Sequence, residues 1–218
     1  MRGKYLILGL FLILSLAGCS LFTKPDDQDD PPETYTGGEI SSLTMEIAGP
    51  TKVKLTWTDT FEDEDGFYID RREWDGAWVE KMITVGVEVN TAIDNEAELG
   101  KVYYYRVRAF KGSAISQEEA HQLNFYLPAP QNIDYDFSWS NPRRICLFWD
   151  NVATWADSIV IAKKHSGEDW VPRYAVLPGS AIQYNDMDFY TNKTTTWSFT
   201  AHYGEQRSIS PTLTIQAP

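Results

Sequence analysis

Cysteine is nearly absent from this 218-residue chain, which holds only Cys19 and Cys146. Two thiols cannot supply the disulfide framework of a small secreted domain, so stability must come from core packing. Positive charge is scarce as well. Nineteen Lys and Arg face 31 Asp and Glu, for a net charge of −12. That balance excludes a nucleic-acid partner, whose phosphates need a basic surface, and a protein held electrostatically on anionic lipid. Only three histidines occur, His121, His165 and His202, and none stands at metal-ligand spacing to another or to a cysteine. Glu118-x-x-His121 would share one helix face, but it lies near the end of a β-patterned stretch. The G-x-S-x-G, P-loop and zincin motifs are all missing. No catalytic residue, metal or cofactor is therefore expected. Long apolar runs are lacking too. The longest, Tyr5 to Leu16, has 16 − 5 + 1 = 12 residues. As a helix it would reach about 18 Å, against about 30 Å of bilayer hydrocarbon.

What is present begins at that run. Arg2 and Lys4 precede it and Ala17-Gly18-Cys19 follow, the layout of a cleaved secretory signal over residues 1–18. Leu16-Ala17-Gly18-Cys19 resembles the lipobox of bacterial lipoproteins. The resemblance implies that Cys19 becomes the first residue and carries acyl chains, palmitate among them, so that the membrane is reached through acylated Cys19. More than one chain makes such an anchor close to permanent, at about 0.8 kcal/mol per buried methylene. The implied place is the cell envelope, extracytoplasmic and lipid-anchored. Ser20 rather than Asp follows Cys19, which leans toward an outer membrane where the cell has one. The signal carries two cations and no acid, leaving the mature part at −12 − 2 = −14.

Residues 19–39 read as the lipidated Cys followed by a disordered tether. Lys24-Pro25-Asp26-Asp27-Gln28-Asp29-Asp30-Pro31-Pro32 holds too few apolar side chains to offset ordering entropy, and its charges repel. The rest repeats. Trp57 recurs as Trp149, an offset of 149 − 57 = 92, and the same offset carries Val53 to Ile145, Leu55 to Leu147, Asp65 to Asp157, Trp78 to Trp170, Asp94 to Asp186 and Gly112 to Gly204. Two copies of one domain follow, over 40–127 and 128–218, joined at Leu127-Pro128-Ala129-Pro130. Their apolar period is two, as in Val53-Lys54-Leu55-Thr56-Trp57. Turn pairs such as Asp65-Gly66, Asp75-Gly76 and Pro178-Gly179 separate the runs. Short strands at this spacing predict an all-β protein of two antiparallel sandwiches.

Val53-x-Leu55-x-Trp57, Glu64-x-Gly66-Phe67-x-Ile69-x-Arg71 and Tyr103-x-Tyr105-x-Val107-x-Ala109 resemble strands B, C and F of fibronectin type III domains. The resemblance implies tandem immunoglobulin-like sandwiches with Trp57 and Trp149 central in their cores. It places Tyr103 in the tyrosine-corner slot, its hydroxyl returning to backbone upstream. The second copy departs at Thr195, where the corner Tyr should stand, and at Ser158-Ile159, where the first has Gly66-Phe67. Glu64 is expected to pair with Arg71.

Alternation also picks out a candidate binding face. If Phe67 and Ile69 point in, Tyr68, Asp70, Arg72 and Trp74 point out. If Tyr105 and Val107 point in, Tyr104, Arg106, Arg108 and Phe110 point out beside them. Aromatics and arginines are enriched at binding hot spots, although such side chains also cover one another in ordinary cross-strand pairs. The second copy offers Val160, Ala162, Lys164, Thr196, Ser198, Thr200 and His202 there. Trp78 and Trp170, equivalent in the two copies, read as packing residues. Trp139 and Trp155 have no counterpart and are candidate glycan-stacking platforms. Cys146 should face outward beside Phe148. These features predict a non-catalytic module for protein interaction, adhesion or spacing, with an unidentified protein or glycan ligand and glycan binding as the alternative.

Overall fold

The computed structural model describes residues 33–138, 144–189 and 192–216. Trp139, Cys19, the signal and the acidic run 24–32 lie outside the described residues. Among those described, all regular structure is strand. The first sandwich comprises β1 (Ile40–Gly49), β2 (Lys52–Asp59), β3 (Gly66–Glu73), β4 (Val79–Val85), β5 (Thr91–Asp94), β6 (Lys101–Lys111), β7 (Ala114–Ile115) and β8 (Glu119–Phe125). The second comprises β9 (Gln131–Ser138), β10 (Arg144–Asp150), β11 (Ser158–His165), β12 (Val171–Pro178), β13 (Gln183–Asp186), β14 (Thr195–Tyr203), β15 (Gln206–Arg207) and β16 (Thr212–Ile215).

Sheet β1-β2-β5 lies over sheet β4-β3-β6-β8, and β9-β10-β13 over β12-β11-β14-β16, all pairs antiparallel. β7 and β15 extend the far ends of β6 and β14. The fourth strand of each copy pairs with the third rather than the fifth. The protein thus holds two antiparallel β-sandwiches in tandem, both with this immunoglobulin-like strand order.

Strict alternation drives this. In β2, Val53, Leu55 and Trp57 are buried while Lys54 and Thr56 are exposed, and β10 does the same with Ile145, Leu147 and Trp149. Because the side-chain period is two, a one-residue slip would drive lysine into the core, so register is fixed by burial. The two cores trade one aromatic. Trp57 meets Phe67 edge-on at 5.6 Å, whereas Trp149 meets Phe199 at 5.3 Å. At the shared offset Phe67 becomes Ile159 and Val107 becomes Phe199, so the ring moves from one strand to its neighbour and volume is conserved. Gly66 sits at φ +146°, where a Cβ would run into the Val85 carbonyl. Ser158 replaces it in the second copy, and that residue is not among those with positive φ.

A buried carboxylate closes each sandwich. Asp94 takes Arg71 Nη1 at 2.6 Å and the Tyr105 hydroxyl at 2.7 Å. Arg71 therefore pairs with Asp94. This corrects the expected partner Glu64, which is itself buried and accepts the Glu88 backbone N–H at 3.2 Å. Burial, then the Asp94 carboxylate, pushes the Tyr105 hydroxyl far above its ordinary range. In the second copy Asp186 takes Lys163 Nζ at 2.9 Å, Trp197 Nε1 at 2.8 Å and the Tyr174 hydroxyl at 2.6 Å. Tyr103 meets its expectation: its hydroxyl accepts the Glu98 N–H, five residues upstream, at 3.0 Å. Thr195, standing in that slot of the second copy, meets His165 Nδ1 at 2.9 Å.

Residues 33–39, expected in the tether, are fastened to the first sandwich. Thr34 makes a parallel bridge to Ile115, and the Tyr35 ring stacks on Phe61 at 4.8 Å with its hydroxyl donating to Asp63 at 2.5 Å. Desolvation and then Asp63 push the Tyr35 hydroxyl up to about 12. The acidic cluster Glu62-Asp63-Glu64-Asp65 is largely spent on such contacts. Asp63 also holds Lys111, and Asp65 receives the Gly112 N–H at 2.7 Å, as Asp157 receives Gly204.

Candidate functional site

β3 and β6 lie side by side in one register. Tyr68 faces Arg108, Asp70 faces Arg106 and Arg72 faces Tyr104, all on the side away from the core. The hairpin through Asp75-Gly76 then returns β4 beside β3, bringing Trp78 back against Arg72. The result is an interleaved stack of rings and cations. The Arg72 guanidinium lies 4.5 Å from the Tyr104 ring centre and 5.1 Å from Trp78, and Arg106 lies 4.3 Å from Trp78. At the other end Tyr68 stacks on Phe110 at 4.1 Å and 9°, with Lys81 4.5 Å over Tyr68. Each such cation–ring contact contributes about 0.5–1 kcal/mol where solvent still reaches it.

Asp70 departs from the expectation of an outward, solvated carboxylate. It stands on the outer face yet is fully buried, because the long arginines fold across it. A carboxylate taken from water is costly unless well paired. Here it receives Arg106 Nε at 2.6 Å and the Lys81 backbone N–H at 2.6 Å, and Arg108 Nη2 stands at 2.7 Å. Lys81 adopts φ +52° to deliver its N–H. Arg106 also spans to Glu118 at 2.8 Å and Glu80 at 2.9 Å. Burial works against its charge, but Asp70 and Glu118 outweigh that and raise its pKa.

The candidate residues Tyr68, Arg72, Tyr104, Arg106, Arg108 and Phe110 are half-buried by one another. Trp74 alone is open, at 60% exposure. It lies just past the end of β3, in the turn, rather than on the strand. Its N–H donates to the Val102 carbonyl at 3.0 Å, and its ring is tilted 36° to Tyr104 at 5.8 Å. Of the three arginines on this face, Arg72 is the one with no carboxylate partner among the described residues. Arg106 and Arg108 both pair with Asp70, whereas Arg72 has only its two rings; the buried Nε of Arg72, like the Nε and Nη2 of Arg108, has no hydrogen-bond partner among the described residues.

Sequence reasoning missed Trp78 and Lys81. Trp78 recurs at the 92-residue offset and so reads as packing, which it is, though on the outer face as the hub between Arg72 and Arg106. Asp75-Gly76 was the available signal, since a tight turn there must bring Trp78 back beside the last outward residue of β3.

The equivalent face of the second sandwich has no such stack. Val160 is buried there, Ala162 and Ser198 replace Asp70 and Arg106, and Lys164 sits 5.0 Å over the Trp170 ring. Trp155, expected as an exposed platform, is half-buried against the second core, edge-on to Tyr203 at 5.4 Å. Cys146 does face outward from β10. Asp136 and Asn185 are its cross-strand neighbours, in a hollow of about 350 Å³ that Arg144 also lines. Among the described residues no group of three or more His, Cys, Asp or Glu could hold a metal ion.

No protein-family model matches the chain, and no curated protein matches it. The chain is similar in structure to a two-fibronectin type III domain segment of chicken tenascin. Identity there is 15% and the TM-score 0.43, over 81% of this chain and 98% of that one. It is also similar to the FN1–FN3 domains of chicken CNTN1, at 15% identity and TM-score 0.37, covering 85% of this chain and 66% of that one.

Proposed function

We propose that this protein is a non-catalytic lipoprotein of the cell envelope, held by acylated Cys19, that displays two β-sandwich modules for adhesion or interaction outside the cytoplasm. The outer face of the first module is its contact surface. One observation carries this reading: the same outward strand positions hold Tyr68, Arg72, Tyr104, Arg106, Arg108 and Phe110 in the first copy but Val160, Lys164, Thr196, Ser198, Thr200 and His202 in the second. Two copies with matching cores need no such difference for folding. Arginine and aromatics in one patch are the composition of binding hot spots.

The anchor is tested by metabolic labelling with radioactive palmitate and detergent-phase partition of full-length protein. Cys19→Ala is expected to abolish both, and label retained in the variant overturns the anchor. The contact face is tested by retention of envelope material on immobilised full chain. The double variant Trp74→Ala/Tyr104→Ala is expected to cut retention at least tenfold while remaining folded, whereas Trp170→Ala leaves retention unchanged. Equal retention by the parent chain and both variants overturns the assignment to the first module.

A further inference from the structure

We propose that Arg72, Trp74 and Tyr104 form a subsite for one carboxylated sugar ring, the uronic-acid unit of an acidic polysaccharide. The inference rests on the reading of the first module's outer face as a contact surface, and names the ligand class it takes.

Arg72 provides the first part. Its guanidinium lies over Tyr104 and Trp78, so rings rather than acids hold it in place. A guanidinium is a planar fork of five donors that fits a carboxylate through two parallel N–H···O bonds. Arg106 has spent that capacity on Asp70, Glu80 and Glu118, and the Arg108 charge is paired with Asp70, although its Nε and Nη2 make no hydrogen bond among the described residues. Among the described residues no carboxylate and no hydrogen-bond acceptor engages Arg72. In a chain with 31 acids to 19 cations, a half-buried arginine held in position without an acid is the unusual one. The stack is fixed by packing before any ligand arrives, so little side-chain freedom remains to be lost on binding.

Trp74 provides the second part. It is the open ring of this face, at 60% exposure, and Tyr104, the ring beneath Arg72, lies 5.8 Å from it at 36°. The Tyr104 hydroxyl is held by Gln122 Oε1 at 2.9 Å, which keeps that shared ring in place. An apolar surface beside an unspent guanidinium suits a ligand with one apolar ring face and one carboxylate.

Scale separates this from a protein partner. A stable protein interface needs about 800 Å² per partner around an apolar centre. Here the remaining aromatics are already covered by their neighbours, and one indole with one guanidinium matches a single sugar ring. Charge is compatible locally: Arg72, Lys81, Arg106 and Arg108 share this face with Asp70, Glu80 and Glu118, four cations to three acids.

The test is affinity electrophoresis and calorimetry of the full chain against polygalacturonate, its methyl-esterified form, neutral dextran and poly-glutamate. Polygalacturonate alone is expected to retard the protein. Esterification, which removes the charge and keeps the ring, is expected to weaken binding at least tenfold. Arg72→Lys should weaken it similarly with the fold intact, because a point charge replaces the fork, and Trp74→Ala should do so by loss of stacking. Equal binding of poly-glutamate, or unchanged binding in Arg72→Lys, overturns the subsite. So does no retardation by polygalacturonate, even if the envelope-retention assay still depends on Trp74 and Tyr104. That last pattern keeps the contact face and removes only the sugar, whereas failure of both assays removes the face itself.

Discussion

The two sandwiches keep the same interior device and differ on the outside. Asp94 and Asp186 stand at one offset, each buried, each bound to a cation from the third strand and to a polar ring from the sixth. The partners changed, Arg71 to Lys163 and Tyr105 to Trp197, while the carboxylate stayed. Even the small closures recur: Ser116 Oγ receives the Ala109 N–H at 2.9 Å, and Ser208 Oγ receives that of Ala201 at 3.0 Å. Interior positions are thus constrained as sets, because a buried charge without its partner is far costlier than a substituted pair. The outer face carries less constraint: there the copies share one cation over an indole, Arg72 over Trp78 and Lys164 over Trp170, and differ at the other outward positions.

The carboxylates give the strongest way to break this comparison. Asp186→Ala strips Lys163, with a side chain only 3% exposed, of its buried carboxylate, leaves it the exposed Asp188 Oδ2 at 3.4 Å, and orphans the buried Trp197 Nε1. Destabilisation of about 3–5 kcal/mol is expected in denaturant melts. Asp94→Ala should cost less, because 17% of the Arg71 side chain already reaches water. Equal losses would mean that the two devices are interchangeable.

Trp149 and Trp57 sharpen it. Trp149 Nε1 donates to the Ala181 carbonyl at 2.9 Å, whereas the buried Trp57 Nε1 has no partner. Trp149→Phe should therefore cost about 1 kcal/mol more than Trp57→Phe, the worth of one lost hydrogen bond. Hydrogen exchange read separately in each sandwich would measure it, and the reverse order would show that packing alone sets the cost.

The smallest expected effect is with pH. His165 and His202, both in the second sandwich, have pKa values below the ordinary histidine value. Burial is the main cause, aided by Lys163 for the first and by Arg207 and Arg173 for the second. Between the lowered native value and the unfolded value of about 6.5, the unfolded chain binds more protons, so stability rises with pH there. Their contribution is complete above about 6.5 and is lost as pH falls toward the native values. Melts at pH 7.5 and 5.5 should show the second sandwich weakening, and His165→Gln with His202→Gln should flatten that difference. An unchanged slope in the double variant would assign the pH dependence to carboxylates instead.

Much of this was readable before any coordinates. Alternation placed Trp57, Trp149 and Tyr103 inside, because a two-residue period admits only one inward set per strand. It also placed Tyr104, Arg106 and Arg108 on one outer face. It failed at Asp70, where outward direction does not mean solvated, since the two neighbouring strands, β4 and β6, supply the cover. Duplication marks Trp78 and Trp170 as packing residues, and each does pack beneath a cation, but on the outer face rather than in the core. Tyr35 escaped because the anchoring contact, Phe61 with Asp63, is distant in the chain and a Pro/Asp-rich context hid it.

Patterning along the chain by itself determined the duplication, the strand identity and the inward-facing core, because each depends on local period and on a constant spacing. Only the tertiary structure decided which carboxylate each buried cation meets, that residues 33–39 are fastened down, and that, among the described residues, Arg72 alone of the three arginines on its face has no acid. Those outcomes depend on side chains from strands far apart in sequence arriving within 3–5 Å of one another, and such distances are set by sheet register and twist rather than by any run of residues.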